Sequence, residues 1–311
     1  MQRGPKPGRR GMLLGLAGGM AAFGSARAAN LPEDLPHGAY EDDSTLQRQP
    51  YYGVHQAGVT TPQPAAALLA AFDVLTDSRA GLERLFRLLT QRGAFLTQGG
   101  DVPQVDPKLP PLDSGVLGPA VFPDNLTMTV AVGASLFDQR FGLAARRPKQ
   151  LIRMQGFPND ALDAAHCHGD LLLQFNANTA ETNIHALRDI VKQAPDLLAL
   201  RWKIGGFLPA HTLKRQGRDT VRNLLGFKDG TANLDSRDTA LMDRIVWVQP
   251  RPGEPGWTAG GSYQVVRIVR MKVEHWGPHA AAGTADHHGP RQVGRRAIGH
   301  AARARPAGLC R

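Results

Sequence analysis

The order of the apolar segments between Leu68 and Ile204 restricts the folds open to this chain more than any other feature. Residues 68–74 are a short apolar run suited to a buried strand. Ser78 stands where a helix N-cap belongs, and Leu82, Leu85, Phe86, Leu89 and Leu96 then recur at helical spacing. Residues 126–132 alternate with threonines as a strand does, and 170–175 read as another strand. Residues 179–194 place Ile184, Leu187 and Val191 on one predicted helical face, and 197–204 form a further strand. Strand, helix, strand, strand, helix, strand is the order of the split βαβ, ferredoxin-like unit. That is an α+β fold, an antiparallel sheet with two helices on one face.

The segments around this unit have separate characters. Residues 133–169, with Pro148 and Pro158, read as a long excursion between the central strands. A second unit starts near Tyr263, where Val265, Val269, Met271 and Val273 line a strand interrupted by Arg267, Arg270 and Lys272. Its remaining helices and strands do not follow in the sequence. Residues 30–50, with Pro32, Pro36 and the acidic run at 41–43, lack apolar periodicity and read as an exposed leader.

The N-terminus opens with paired Arg9 and Arg10, a glycine-broken apolar run to Phe23, and the small-residue site Ala26-Arg27-Ala28. This is the pattern of a twin-arginine signal peptide over residues 1–29, with cleavage after Ala28 or Ala29. A membrane span needs about 20 uninterrupted apolar residues, more than this stretch offers. The twin-arginine route carries folded passengers, which suggests a cofactor loaded before export to the periplasm. The formal net charge of +10 resides at the two ends: residues 1–29 contain no acid, and 277–311 set six arginines against Asp286. The neutral middle gives no electrostatic footprint for DNA or RNA, because phosphate binding needs cations gathered on a folded face. With Cys167 and Cys310 as the only cysteines, stability must come from packing and not from a disulfide framework.

The most specific segment is 223–234, Asn-Leu-Leu-Gly-Phe-Lys-Asp-Gly-Thr-Ala-Asn-Leu. Gly226 and Gly230 flank Asp229 and permit a tight turn that a flat ligand can approach closely. This segment resembles the GxxDG motif of dye-decolorizing peroxidases, and 226–233 is similar to their exported deferrochelatase subgroup. Further stretches agree in order. Residues 52–62 resemble the subgroup's opening strand, Ser135-Leu136-Phe137-Asp138 and Phe141-Gly142-Leu143 its central excursion. Phe157-Pro158, Arg201-Trp202 and Gly261-Ser262-Tyr263 continue the likeness to about Trp276. The resemblance implies two ferredoxin-like domains in the dimeric α/β barrel architecture of that family, with haem b in the second. It implies that Asp229 is the distal acid/base, taking a proton from hydrogen peroxide and returning it to the oxygen that leaves as water. Gly230, Thr231 and Ala232 would line the haem edge. Oxidation of organic donors, release of iron from haem within an iron-uptake system, and a homodimer are implied by the same likeness.

The chain then divides into a signal peptide (1–29), leader (30–50), first ferredoxin-like domain (51–205), incomplete haem-side domain (206–276) and disordered tail (277–311). The family's proximal histidine and distal arginine are expected beyond Trp276, where Ala, Gly and Arg take over with no apolar period, so no metal ligand is assigned. The tail reads as an out-of-frame translation, with a genuine basic tail as the rival. His279, His287, His288 and His300 are ligands by residue type only, since ligation needs a rigid element to aim the ring. His55, His166, His168, His185 and His211 read as surface or packing residues, and His166-Cys167-His168 lacks a compatible third metal ligand. Two further readings therefore stand beside the enzyme: a truncated, non-catalytic product without a proximal ligand, and a binding module on the same scaffold.

Overall fold

A computed structural model describes residues 44–102, 113–208, 221–230, 232–274 and 276. The signal peptide, residues 30–43 of the leader and the tail lie outside these residues. Strand β1 (Ala66–Val74) leads into helix α1 (Arg79–Gln98) and a two-stranded ribbon, β2 (Gly100–Asp101) with β3 (Ala120–Val121). Strands β4 (Thr127–Val132) and β5 (Leu171–Ala177), helix α2 (Ala180–Gln193) and strand β6 (Leu198–Phe207) follow, then the short helix α3 (Thr239–Ile245). The four long strands form one sheet in the order β4-β5-β1-β6, every pair antiparallel. That is the ferredoxin-like order expected from the sequence.

Local chemistry explains where the elements begin. The Ser78 hydroxyl accepts from Gly81 N at 3.1 Å and satisfies one of the amides left free at the start of α1. Thr179 caps α2, and its hydroxyl and amide are themselves held by Asp124 Oδ2 at 2.6 and 3.0 Å. Asp124 and Asn125 have φ of 46° and 58°, and their amides donate to Thr45 O and Gln47 O, so the last leader residues close over the entry to β4. On the helix side of the sheet, Leu68, Phe72, Leu173 and Phe175 pack with Leu85, Leu89, Leu96, Leu187 and Ile190 in one continuous core.

Three sequence expectations change. Ile184 and Val191, expected on the buried face of α2, are 46% and 37% exposed, while Ala186, Leu187 and Ile190 are buried. Asp189 and His185 share the buried side because α1 supplies Arg92, which donates to Asp189 at 2.8 and 2.9 Å. A reading by apolar period discards such polar residues. Residues 52–62 form no strand either. Instead the Gln56 amide grips β4 from its edge, donating to Val130 O at 3.0 Å and accepting from Val130 N at 2.9 Å. Finally, Val265–Val273 forms no ladder among the described residues, although its alternation suits a strand. Ser262 makes an isolated bridge with Trp247, Gln264 Nε2 donates to Gln174 Oε1 at 2.9 Å, and Val265 and Val269 remain 64% and 70% exposed. A strand is stable only with a partner, and none is described beside it.

The excursion between β4 and β5 is built from short 3-10 turns organised by Arg140. Its guanidinium donates to Asp138 Oδ2, Asp170 Oδ2 and the Val74 and Ser135 carbonyls. At the root of the excursion a Cβ on Gly133 would lie 2.0 Å from Gly169 O, so only glycine fits there.

Candidate functional site

The turn bearing Asp229 is held by its own polar groups. Arg222 and Lys228 form a bridge, Asn223 N donates to Phe227 O at 2.9 Å, and Gly226 N donates to Asn223 O at 2.9 Å. Asn223 Oδ1 accepts from Leu225 N and Phe227 N at 3.0 and 3.2 Å, and Arg222 Nη1 donates to Gly226 O at 2.7 Å. Asp229 N donates to Val221 O at 2.7 Å, which leaves the carboxylate exposed at the end of the turn. Gly226 has φ of +84° and open space within 4 Å of where a Cβ would stand. Gly230 has φ of +73°, and a Cβ there would lie 2.9 Å from Asn233 Nδ2, so both positions require glycine. Phe227 meets Trp276 edge to face at 5.5 Å, and with Leu224 they leave apolar surface beside the carboxylate.

The structure thus places Asp229, Gly230 and Ala232 on one exposed turn, while Thr231 lies outside the described residues.

A second feature was not legible in the sequence. The face of the sheet opposite the helices, the excursion, Gln56, Gly58 and Val59, and residues 246–272 line a half-open cleft of about 2230 Å³ whose lining does not include Asp229. Trp202 and Ile204 contribute from β6, Arg153 and His168 from the excursion, and Tyr263 and Lys272 from the far side. The walls are braced by polar contacts. Tyr263 accepts from Gln150 N and donates to Glu254 at 3.1 Å, and Trp257 Nε1 donates to Arg146 O at 3.1 Å. His55 stacks on Trp247 with ring centroids 3.7 Å apart and donates through Nδ1 to Gly260 O at 2.7 Å. His168 has φ of 62°, and burial, together with Arg153 and Arg201, holds its pKa below the usual histidine value. Residues brought together from four strands and three irregular segments share no sequence period, so no pattern could have announced them.

The described histidines each have a local partner. His166 pairs with Asp163 at 2.8 Å, His168 faces Arg153 at 3.4 Å, and His185 is buried against Ser114. No group of three or more His, Cys, Asp or Glu suited to a metal ion occurs among the described residues.

Comparison with known proteins accounts for this combination of fold and turn. Residues 56–208 match the family model described as Dyp-type peroxidase, N-terminal, and residues 220–296 match Dyp-type peroxidase, C-terminal. The second match takes in the Asp229 turn and runs on past Trp276. A deferrochelatase of Escherichia coli O6:K15:H31 is 56% identical over 273 residues, 87% of this chain and 64% of the relative. The chain therefore spans less than two thirds of that relative's length. A DyP-type peroxidase from Cellulomonas bogoriensis superposes with a TM-score of 0.59 at 36% identity, covering 70% of this chain and 56% of that one. The oxyferrous/water mixed complex of DtpA from Streptomyces lividans gives 0.58 at 31% identity, over 71% and 56% of the two chains. With both family models matched in order across the sheet, the excursion and the Asp229 turn, the chain belongs to the Dyp-type peroxidase family.

Proposed function

We propose that this chain belongs to an exported, haem-dependent peroxidase in which Asp229 handles the proton and hydrogen peroxide is the oxidant. The observation that carries the reading is the pair of family matches, the second of which spans the glycine-flanked carboxylate. The described residues fit the rim of a flat, largely apolar group such as haem b. The open space at Gly226 admits a ring edge against the backbone, and Leu224 and Phe227 offer apolar contact. Gly230 and Ala232 would border the same edge, with Thr231 between them in sequence. The turn itself carries no histidine, so no axial ligand is assigned to it.

The redox chemistry, transfer of peroxide's oxidising equivalents to an organic donor, is what haem supplies when bound. The protein's part is proton transfer. Asp229 as a carboxylate would accept a proton from one peroxide oxygen and return it to the other, with haem, when bound, supplying the electrons for O–O cleavage and accepting the remaining oxygen. Asn223 and Arg222 fix the turn on which that carboxylate stands. Iron release from haem, contact with iron-uptake components and a homodimer belong to the same proposal. The 56% identity to a deferrochelatase supports the first of these, and the other two rest on the family resemblance alone. Arg9, Arg10 and the Ala26-Arg27-Ala28 site support twin-arginine export to the periplasm.

Peroxide turnover of residues 30–311 supplied with haem tests this reading. Asp229→Asn is expected to lower turnover by about 100-fold or more while haem absorption persists. Unchanged turnover would remove Asp229 from the mechanism. The second reading, a binding module on the same scaffold without redox work, predicts no peroxide turnover in either protein.

A further inference from the structure

The layer between α1 and α2 contains a buried polar cluster that the proposed peroxide chemistry does not use. His185 on α2 is 1% exposed, and Asp113, in the loop leading to β3, is 4% exposed. His185 Nδ1 lies 2.6 Å from Ser114 Oγ and 3.8 Å from Asp113 Oδ2. Among the described residues, neither His185 Nε2 nor Asp113 Oδ2 has a hydrogen-bond partner, although both are buried. The loop meets α2 through that Ser114–His185 contact and through Lys192 Nζ, which donates to Asp113 O at 2.9 Å.

We propose that His185 is a proton-operated latch: neutral, it holds the 113–119 loop against α2, and protonated, it releases it. The charges around the ring decide the direction. Asp113 faces it from the loop, Arg188, Asp189 and Lys192 belong to α2, and Arg92 comes from α1. Asp189 is already committed to Arg92 through two hydrogen bonds, at 2.8 and 2.9 Å. Only Asp113 remains to balance an imidazolium, and Ser114 already occupies the nitrogen nearest to it. Burial lowers the His185 pKa from 6.5, Arg92 and Arg188 act in the same direction, and Asp113 and Asp189 oppose them. The released ring therefore binds a proton near pH 6.5, while the latched ring binds it only at lower pH. Latching is complete above that pH and is lost as acid is added. Between the two pKa values the opening equilibrium rises by up to about tenfold per pH unit.

Amide hydrogen exchange of the full chain, corrected for intrinsic rates, tests the latch at about pH 7.5 and about pH 5.5. Protection of residues 113–119 is expected to fall several-fold more at the lower pH than protection of β1 or β5. In His185→Asn, which keeps a polar atom near the Nδ1 position without titrating, that difference is expected to vanish. An equal pH response in both proteins, or none in the unsubstituted chain, overturns the proposal. Titration of the His185 ring by NMR gives a reading independent of the variant. A midpoint below 6.5 is expected, and one at or above that value overturns the proposal.

Discussion

Asp170 shows how one buried carboxylate can organise an irregular segment. Its Oδ2 accepts from Val74 N and Arg140 Nη2, both at 3.0 Å, so it joins the end of β1 to the excursion. Burial pushes its pKa up, but hydrogen bonds from Ser135, Val74 and Arg140 outweigh that and hold it below the usual carboxylate value. A depressed carboxylate stabilises the fold above its unfolded pKa and loses that contribution as pH falls through the folded value. Asp170→Asn is therefore expected to cost about 1–3 kcal/mol at neutral pH, with the deficit shrinking in acid, by urea denaturation across pH. At the candidate site, Asn223→Ala removes the acceptor for two turn amides and is expected to speed amide exchange across 223–230 by about fivefold or more, equivalent to roughly 1 kcal/mol. Asn223→Asp keeps that acceptor and is expected to preserve the turn.

At the scale of elements, periodic segments with matching caps were legible, and those whose structure depends on a distant partner were not. Ser78 caps α1 as the sequence suggested, Thr179 caps α2 at the residue where the expected helix begins, and all four sheet strands appear within a few residues of their expected bounds. The buried face of α2 was misread because Asp189 and His185 are buried by partners that lie far away in sequence, Arg92 and Ser114. This reassignment predicts a clear asymmetry between two aliphatic truncations on α2. Ile190→Ala, at a fully buried position, is expected to cost about 3 kcal/mol. Val191→Ala, its half-exposed neighbour, is expected to change stability by less than about 1 kcal/mol. Thermal denaturation distinguishes them directly, and equal losses would restore the face suggested by the apolar period. The stretch at Val265–Val273 has strand-like alternation, yet pairing is a property of two segments and one segment's sequence cannot supply it.

For the whole molecule, the ferredoxin-like sheet supplies a rigid floor with helices on one face and a large cleft on the other. The Asp229 turn was legible because its chemistry lies within twelve consecutive residues, whereas the cleft is assembled from segments separated by more than a hundred. The paired arginines at the N-terminus make a separate prediction about fate in the cell. Replacing Arg9 and Arg10 with lysines, which keeps the charge, is expected to retain the chain in the cytoplasm, as read by cell fractionation. Whether this family scaffold serves haem chemistry is decided by titrating residues 30–311 with haem and recording the absorption spectrum. A Soret band that saturates near one haem per chain is expected; a spectrum indistinguishable from free haem at every ratio would rule haem binding out.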